Sequence, residues 1–142
     1  MTTDIAAFAH HIFRSQPFSQ FLHAELVAVG DGTAEIRVDN RPELQQQHGF
    51  IHGGVVGYLA DNALTFAGGL ALGGDALTAE YKINYVRPAK GDAITARAEA
   101  IATTRRQAVC TCKIFSIAQA EEKLVAVAQG TIVSANTSTG SP

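Results

Sequence analysis

The stretch Gly53 to Leu72, GGVVGYLADNALTFAGGLAL, constrains this chain more than any other part of it. Its side chains are almost all apolar or small, with a single carboxylate, Asp61, near the middle. A run of that length and hydropathy either crosses a membrane or is enclosed by the rest of a protein. Asp61, Asn62 and Thr65 sit at its centre and glycine recurs along it, which argues against a membrane span. It therefore reads as a buried helix whose whole circumference must be covered.

Extended chain supplies the cover. Four runs follow the helix: Leu77 to Val86, Ala93 to Ile101, Gln107 to Ile117 and Leu124 to Val133. Turn signals part them at Pro88 with Gly91-Asp92, at Thr103 to Arg106 and at Ala120 to Lys123. In the first run Leu77, Ala79, Tyr81, Ile83 and Tyr85 alternate with Thr78, Glu80, Lys82 and Asn84, the period of a half-buried strand. The last run is nearly all apolar and is expected centrally in a sheet. Two more strands precede the helix, Ala24 to Val29 and Thr33 to Val38, joined by Gly30-Asp31-Gly32. Between them and the helix, Asn40 to Ile51 holds Pro42, three glutamines and Gly49, an irregular connection with at most one helical turn.

At the front, Thr3 or Asp4 starts a helix to about Arg14 with Ile5, Phe8, Ala9, Ile12 and Phe13 on one face. Pro17 interrupts it, and Phe18, Phe21 and Leu22 are expected to pack as a lid or plug. The order is helix, two strands, one long apolar helix, four strands. It implies an α+β fold, a six-stranded antiparallel sheet wrapped around the central helix. Residues 1–134 make one domain, and 135–142 a flexible polar tail. Glycine and alanine recurring along the central helix permit close sheet-on-helix and helix-on-helix packing, hence a dimer.

Eleven Lys and Arg against thirteen Asp and Glu give a net charge of -2, without the basic excess that a nucleic-acid binder carries. The opening MTTDIAAFAHHIFRSQ has no basic region leading into an apolar core, so the expected location is the cytoplasm. Cys110 and Cys112 fall on one face of a strand, poorly placed to bond each other, and read as small core residues.

Several reaction designs have no residues to run on. There is no G-x-S-x-G elbow, no H-E-x-x-H, no glycine-rich loop ending in Lys-Ser or Lys-Thr, and no G-x-G-x-x-G after a strand. His48 and His52, four apart in a loop with glycine between them, are a poor metal pair, so neither a metal nor an organic cofactor is expected. Two features remain. His52-Gly53-Gly54 stands where the central helix begins, so its free N–H groups can bind a carbonyl oxygen; the glycines serve equally as a sharp entry from loop to helix. Asp61 in an apolar helix is costly unless paired or used; it either does chemistry or fixes packing at a dimer seam through Asn62 or Thr65. Gly53 and Asp61 are eight residues apart, a rise of ~12 Å and a rotation of ~80°. If both act on one substrate, they must come from different subunits.

His52-Gly53-Gly54, then Leu59-Ala60-Asp61-Asn62-Ala63, then Tyr85-Val86-Arg87-Pro88 resemble the hotdog-fold acyl-CoA thioesterases of the PaaI-like, 4-hydroxybenzoyl-CoA thioesterase-related group, over about residues 20 to 134. The resemblance implies dimers that pair their sheets edge to edge and join into dimers of dimers, and an acyl-CoA substrate hydrolysed to free acid and CoA. It implies that Gly53, with His52 beside it, polarises the thioester carbonyl, that Asp61 is general base or nucleophile, and that Thr78 holds the attacking water. Gln46 stands where that family often has asparagine. CoA phosphates are expected near Arg87, Lys90, Arg105 or Arg106. Gly54 belongs to the substrate-binding set, and the acyl pocket is expected along the apolar helix face with Phe50, Tyr58 or the Phe18 to Leu22 plug. The rivals are a hotdog dehydratase, which lacks its His and Pro-Gly entry here, a non-catalytic acyl-CoA binding or sensing module, and a structural dimer.

Overall fold

The computed structural model describes residues 3–135. Two helices come first, α1 (Thr3–Arg14) and α2 (Pro17–Phe21), then the strands β1 (Glu25–Gly30) and β2 (Thr33–Asp39). A single 3-10 turn at Pro42–Leu44 leads into the long helix α3 (Gly53–Leu72), followed by β3 (Ala76–Tyr85), β4 (Ala93–Thr103), β5 (Gln107–Ala118) and β6 (Glu121–Ser134). Of the expected tail, residues 136–142 lie outside the described residues, and Ala135 donates its N–H to Asp75 O at 3.0 Å.

The six strands form one antiparallel sheet in the order β1-β2-β4-β5-β6-β3, and α3 packs against every strand of it. The expected hotdog architecture is the observed one. Fully buried Leu59 and Leu64 of α3 meet a sheet face carrying Ile36, Ile94, Ile114 and Ile132, all inaccessible to solvent. Each such side chain contributes about 1.5–3 kcal/mol relative to exposure, so this layer dominates the stability of the fold. Helix and sheet come together so closely at Gly68 that a Cβ there would lie 2.5 Å from Cβ of Ile132. β6 is an interior strand, flanked by β5 and β3, in keeping with its apolar run.

Four local expectations need correction. Thr78 was expected with the polar side chains of its strand, away from Tyr81 and Ile83. A β-bulge between Thr78 and Glu80 shifts the register, so Thr78 pairs with the buried Ile132 and faces α3, while Leu77 turns outward at 62% exposure. The plug is the second case: Leu22 is buried, but Phe18 and Phe21 are 57% and 68% exposed, and the residue that packs inward is Ser19. Third, Phe8 on the α1 face is exposed, so Ala9 and Phe13 make the buried contact. Fourth, β5 and β6 are joined at Gln119-Ala120, earlier than the expected turn; both residues have positive φ, the geometry of a tight hairpin made without glycine.

The sheet has two edges, β1 and β3. β3 is the longer, ten residues, and presents one unpaired flank beside α3. Tyr85 and Val86 at its end are 56% and 50% exposed. A long open edge with apolar side chains is a surface that proteins usually pair or cover.

Candidate active site

Gly53, Gly57, Asp61 and Thr65 follow one another at four-residue spacing on α3, which places them along one stripe of the helix. β3 lies over that stripe. Tyr85 Oη donates to Gly53 O at 3.1 Å, Tyr81 Oη reaches Gly57 O at 3.5 Å, and Thr78 Oγ1 donates to Asp61 Oδ1 at 2.7 Å. The small residues leave room for the two tyrosine hydroxyls against the helix: a Cβ at Gly57 would sit 3.5 Å from both. Thr65, which sequence reasoning had kept for packing, belongs to the stripe as well. Its Oγ1 is 2.7 Å from Asp61 O and 2.6 Å from Thr78 Oγ1. The four-residue spacing was the signal that could have found it.

Asp61 is half-buried, at the middle of the stripe. One carboxylate oxygen is held by Thr78, and Oδ2 has no hydrogen-bond partner among the described residues. Two hydroxyl protons, from Thr65 and Thr78, serve three oxygen contacts in this cluster. The Tyr81 hydroxyl is held above its ordinary pKa, chiefly by burial, then by the charges of Asp61 and Tyr85. It stays protonated beside the carboxylate.

At the N-terminus of α3, His52 is the cap residue and its Nδ1 accepts from Gly54 N–H at 2.7 Å. Gly54 N–H is therefore occupied. Gly53 N–H is not: no group among the described residues accepts from it. It opens on a groove of about 520 Å³ lined by Gln46, Phe50, Val56, Tyr85 and Arg87. The positive end of the helix dipole points the same way. Gln46 shapes the rim, its Oε1 accepting from His48 N at 2.5 Å and Phe50 N at 3.3 Å. Lys90 Nζ sits 5.4 Å over the Phe50 ring, and Arg87 donates to Leu124 O, so both cations border this groove.

The remaining expected residues lie elsewhere. Tyr58 faces α2, away from the groove, and its hydroxyl bonds Ser19 at 2.5 Å and Asn62 at 3.1 Å; burial raises its pKa despite both contacts. Gln16 completes that network through Asn62 and Ser19. Arg105 and Arg106 are in the β4–β5 turn, exposed, with Arg106 O accepting from Ser134 N at 2.9 Å. Ser134 pairs with Ala76 at the start of β3, so these arginines stand at the opposite end of the sheet from Arg87 and Lys90.

One chain thus carries two separate polar features on a single helix. Gly53 with its groove can bind an oxygen bearing partial negative charge, and Asp61 with Thr78 can take a proton or attack an electrophile. The rise between them, ~12 Å, exceeds the reach of one carbonyl group.

The comparisons with known proteins agree with this architecture. A family model described as the thioesterase superfamily matches residues 48–123, which includes all of α3, β3 and β4. No protein of curated function matches by sequence. Among solved structures, a thioesterase family protein from Silicibacter pomeroyi aligns with a TM-score of 0.86 at 30% identity, covering 91% of this chain and 96% of that one. The PaaI protein of the E. coli phenylacetic acid degradation operon aligns with a TM-score of 0.81 at 24% identity over 91% of both chains. Phenylacetic acid degradation protein PaaI from Thermus thermophilus aligns at 0.74 and 29% identity, covering 83% of this chain and 98% of that one. Sequence, fold and the position of the carboxylate on the enclosed helix converge: this chain belongs to the thioesterase superfamily, as a PaaI-like hotdog protein.

Proposed function

We propose that this protein is an acyl-CoA thioesterase, hydrolysing a thioester to a carboxylic acid and CoA in a site completed by two subunits. The observation that carries this reading is the pairing of Asp61, with one oxygen held by Thr78 and the other free, and the unpartnered Gly53 N–H, both on the stripe beside the open β3 edge. Pairing of two β3 strands edge to edge would set the two α3 helices antiparallel. The Gly53 end of one then approaches Asp61 of the other.

In that arrangement the partner's Gly53 N–H polarises the thioester carbonyl and stabilises the charge that develops on its oxygen. Asp61 takes a proton from a water placed against the carbonyl carbon, and that water's oxygen forms the new C–O bond. Collapse of the tetrahedral intermediate breaks the C–S bond, and the proton held on Asp61 passes to the CoA sulfur. Thr78 and Thr65 keep the carboxylate in place through both transfers. The CoA phosphates lie along the groove bordered by Arg87 and Lys90. Dimers assemble further into dimers of dimers, and the protein works in the cytoplasm without a metal or organic cofactor.

The test is release of CoA from a panel of acyl-CoA thioesters, followed with a thiol reagent. Hydrolysis by the wild-type chain and a loss of several orders of magnitude in kcat for Asp61→Asn, with the fold intact, is the expected result. Tight binding of acyl-CoA without release would make the protein a binding module instead.

A further inference from the structure

Two adjacent glycines open α3, and the first of them, Gly53, carries the N–H that faces the groove. Glycine has the freest backbone of any residue, whereas a donor that stabilises developing charge acts only when its direction is fixed beforehand. Side chains from other positions therefore have to hold this amide.

The direction of the Gly53 N–H is set by the two peptide planes that meet at its Cα. The plane before it is tied at its carbonyl: His52 O accepts from Val55 N at 2.9 Å and from Val56 N at 3.3 Å, and the chain leading in is anchored by His52 N on Leu44 O at 2.8 Å. The plane after it, the Gly53–Gly54 peptide, is held at both ends by side chains. Tyr85 Oη donates to Gly53 O at 3.1 Å, and Gly54 N–H donates to His52 Nδ1 at 2.7 Å. Gly53 O also accepts the helical bond from Gly57 N–H, and a carbonyl has lone pairs for both donors.

Tyr85 can serve as a fixed reference because its own backbone is secured by the sheet. It pairs with Ala126 of β6, and Val86 N donates to Val125 O at 2.8 Å. Its side chain is 56% exposed, so water could satisfy the hydroxyl, and burial does not explain the bond to the helix. Tyr81 makes the corresponding contact one turn further in, a longer one of 3.5 Å to Gly57 O. There the amide is already part of the helical ladder, so Tyr81 has no free donor to direct.

We infer that Tyr85 is a positioning residue for the Gly53 amide, acting together with His52 as a clamp on the Gly53–Gly54 peptide. The inference rests on the thioesterase reading above and deepens it. Tyr85 touches neither the reacting carbonyl nor the water; it fixes φ and ψ of Gly53, and so the direction in which the free N–H meets the oxygen. His52 has the same role from the other end of the peptide, and it keeps Gly54 N–H engaged.

The test measures kcat and KM of the full chain on the member of the acyl-CoA panel that wild type hydrolyses fastest, with urea unfolding as the check on folding. Tyr85→Phe keeps the ring and removes the donor; kcat should fall about tenfold, the order of one hydrogen bond, while KM stays within about twofold. His52→Ala should lose about as much, and His52→Asn, whose side-chain oxygen can take the Gly54 N–H, should keep most of the activity. In a Gly53→Pro chain, where no amide is left to position, adding Tyr85→Phe should change kcat by less than about twofold. Full kcat in a folded Tyr85→Phe, a loss confined to KM, an equal loss in His52→Asn and His52→Ala, or the same tenfold loss in the Gly53→Pro background would overturn the clamp and leave the thioesterase reading standing. No hydrolysis of any acyl-CoA by wild type would overturn both.

Discussion

Gly53→Pro removes one hydrogen-bond donor and little else, which makes it the sharpest probe of the helix terminus. Gly53 is the first residue of α3, where a missing N–H breaks no helical bond and the fixed φ of proline suits the helix. The residue before a proline must be extended, and His52 already has φ −58 and ψ 137. A Cβ at position 53 meets its nearest neighbours, atoms of the Tyr85 ring, at 3.6 and 3.7 Å, ordinary contact distances. Folding should therefore be unharmed, or favoured by about 0.4–1 kcal/mol through a stiffer unfolded chain. Catalysis should suffer much more. Loss of one oxyanion donor corresponds to about 10²–10³ in kcat, or ~2.7–4 kcal/mol of transition-state stabilisation. Because the contact strengthens only as charge develops, kcat and kcat/KM should fall together. Gly53→Ala is the control: it adds the Cβ and keeps the N–H, and should retain most of the activity. CoA release by a thiol reagent measures all three proteins, and urea unfolding reports their stability. Wild-type kcat in a folded Gly53→Pro, or an equal loss in Gly53→Ala, would refute the role of the amide.

Four further outcomes are expected. Mixing Gly53→Pro chains with Asp61→Asn chains should restore about a quarter of wild-type activity, since half of the dimers are mixed and each carries one intact site; no recovery on exchange of subunits counts against a shared site. Gly68→Ala should destabilise by up to about 2 kcal/mol in urea unfolding, because the overlap with Ile132 costs ~1–3 kcal/mol and the gain in helix propensity offsets about 1. Tyr58→Phe should cost about 1–2 kcal/mol by the same measurement, as Ser19 and Asn62 each lose a partner inside a buried network. Burial pushes the thiols of Cys110 and Cys112 from 9.0 up to about 11 and about 12, so the folded chain keeps protons that the unfolded chain loses. Stability from these groups is full below pH 9 and declines above it, by up to ~1.4 kcal/mol per pH unit for each thiol; a Cys110→Ala, Cys112→Ala double variant should show a shallower alkaline decline in thermal midpoint.

Much of the fold was legible because its signals are periodic. The apolar run of α3 and the alternating strands after it leave one arrangement that covers the helix, and that arrangement is observed. Missing was the bulge near Ala79, since an extra residue in a strand leaves alternation intact on both sides and changes only which face each half presents. The family resemblance assigned Thr78 to the attacking water, not to Asp61, to which its hydroxyl donates, and simple alternation put it on the wrong face. The network of Gln16, Ser19, Tyr58 and Asn62 was illegible for another reason. It joins two local pairs, Gln16 with Ser19 and Tyr58 with Asn62, that lie far apart in sequence and meet only when α2 docks on α3. The Phe18 and Phe21 side chains dominate the hydropathy of that segment, yet a serine is what the docking buries.

The split between the half-sites follows from the same geometry that makes the fold. A helix enclosed on most sides by its own sheet exposes chemistry only where the sheet ends, and the edge beside Asp61 is β3. Tyr81 and Tyr85 close the upper part of the opening by lying on Gly57 and Gly53, which leaves the Gly53 N–H at one end and the Asp61 carboxylate in the middle. Moving Gly53 closer to Asp61 within one helix would take it off the terminus, and its N–H would then be tied into the helical ladder. A free amide and a mid-helix carboxylate are thus incompatible with a one-chain site of this kind. The β3 edge, long and carrying exposed Leu77 and Tyr85 among polar side chains, is the surface through which a second copy can bring its own helix terminus to the acid. Under the proposed mechanism oligomerisation is a condition of the chemistry, and the subunit-exchange experiment addresses it directly.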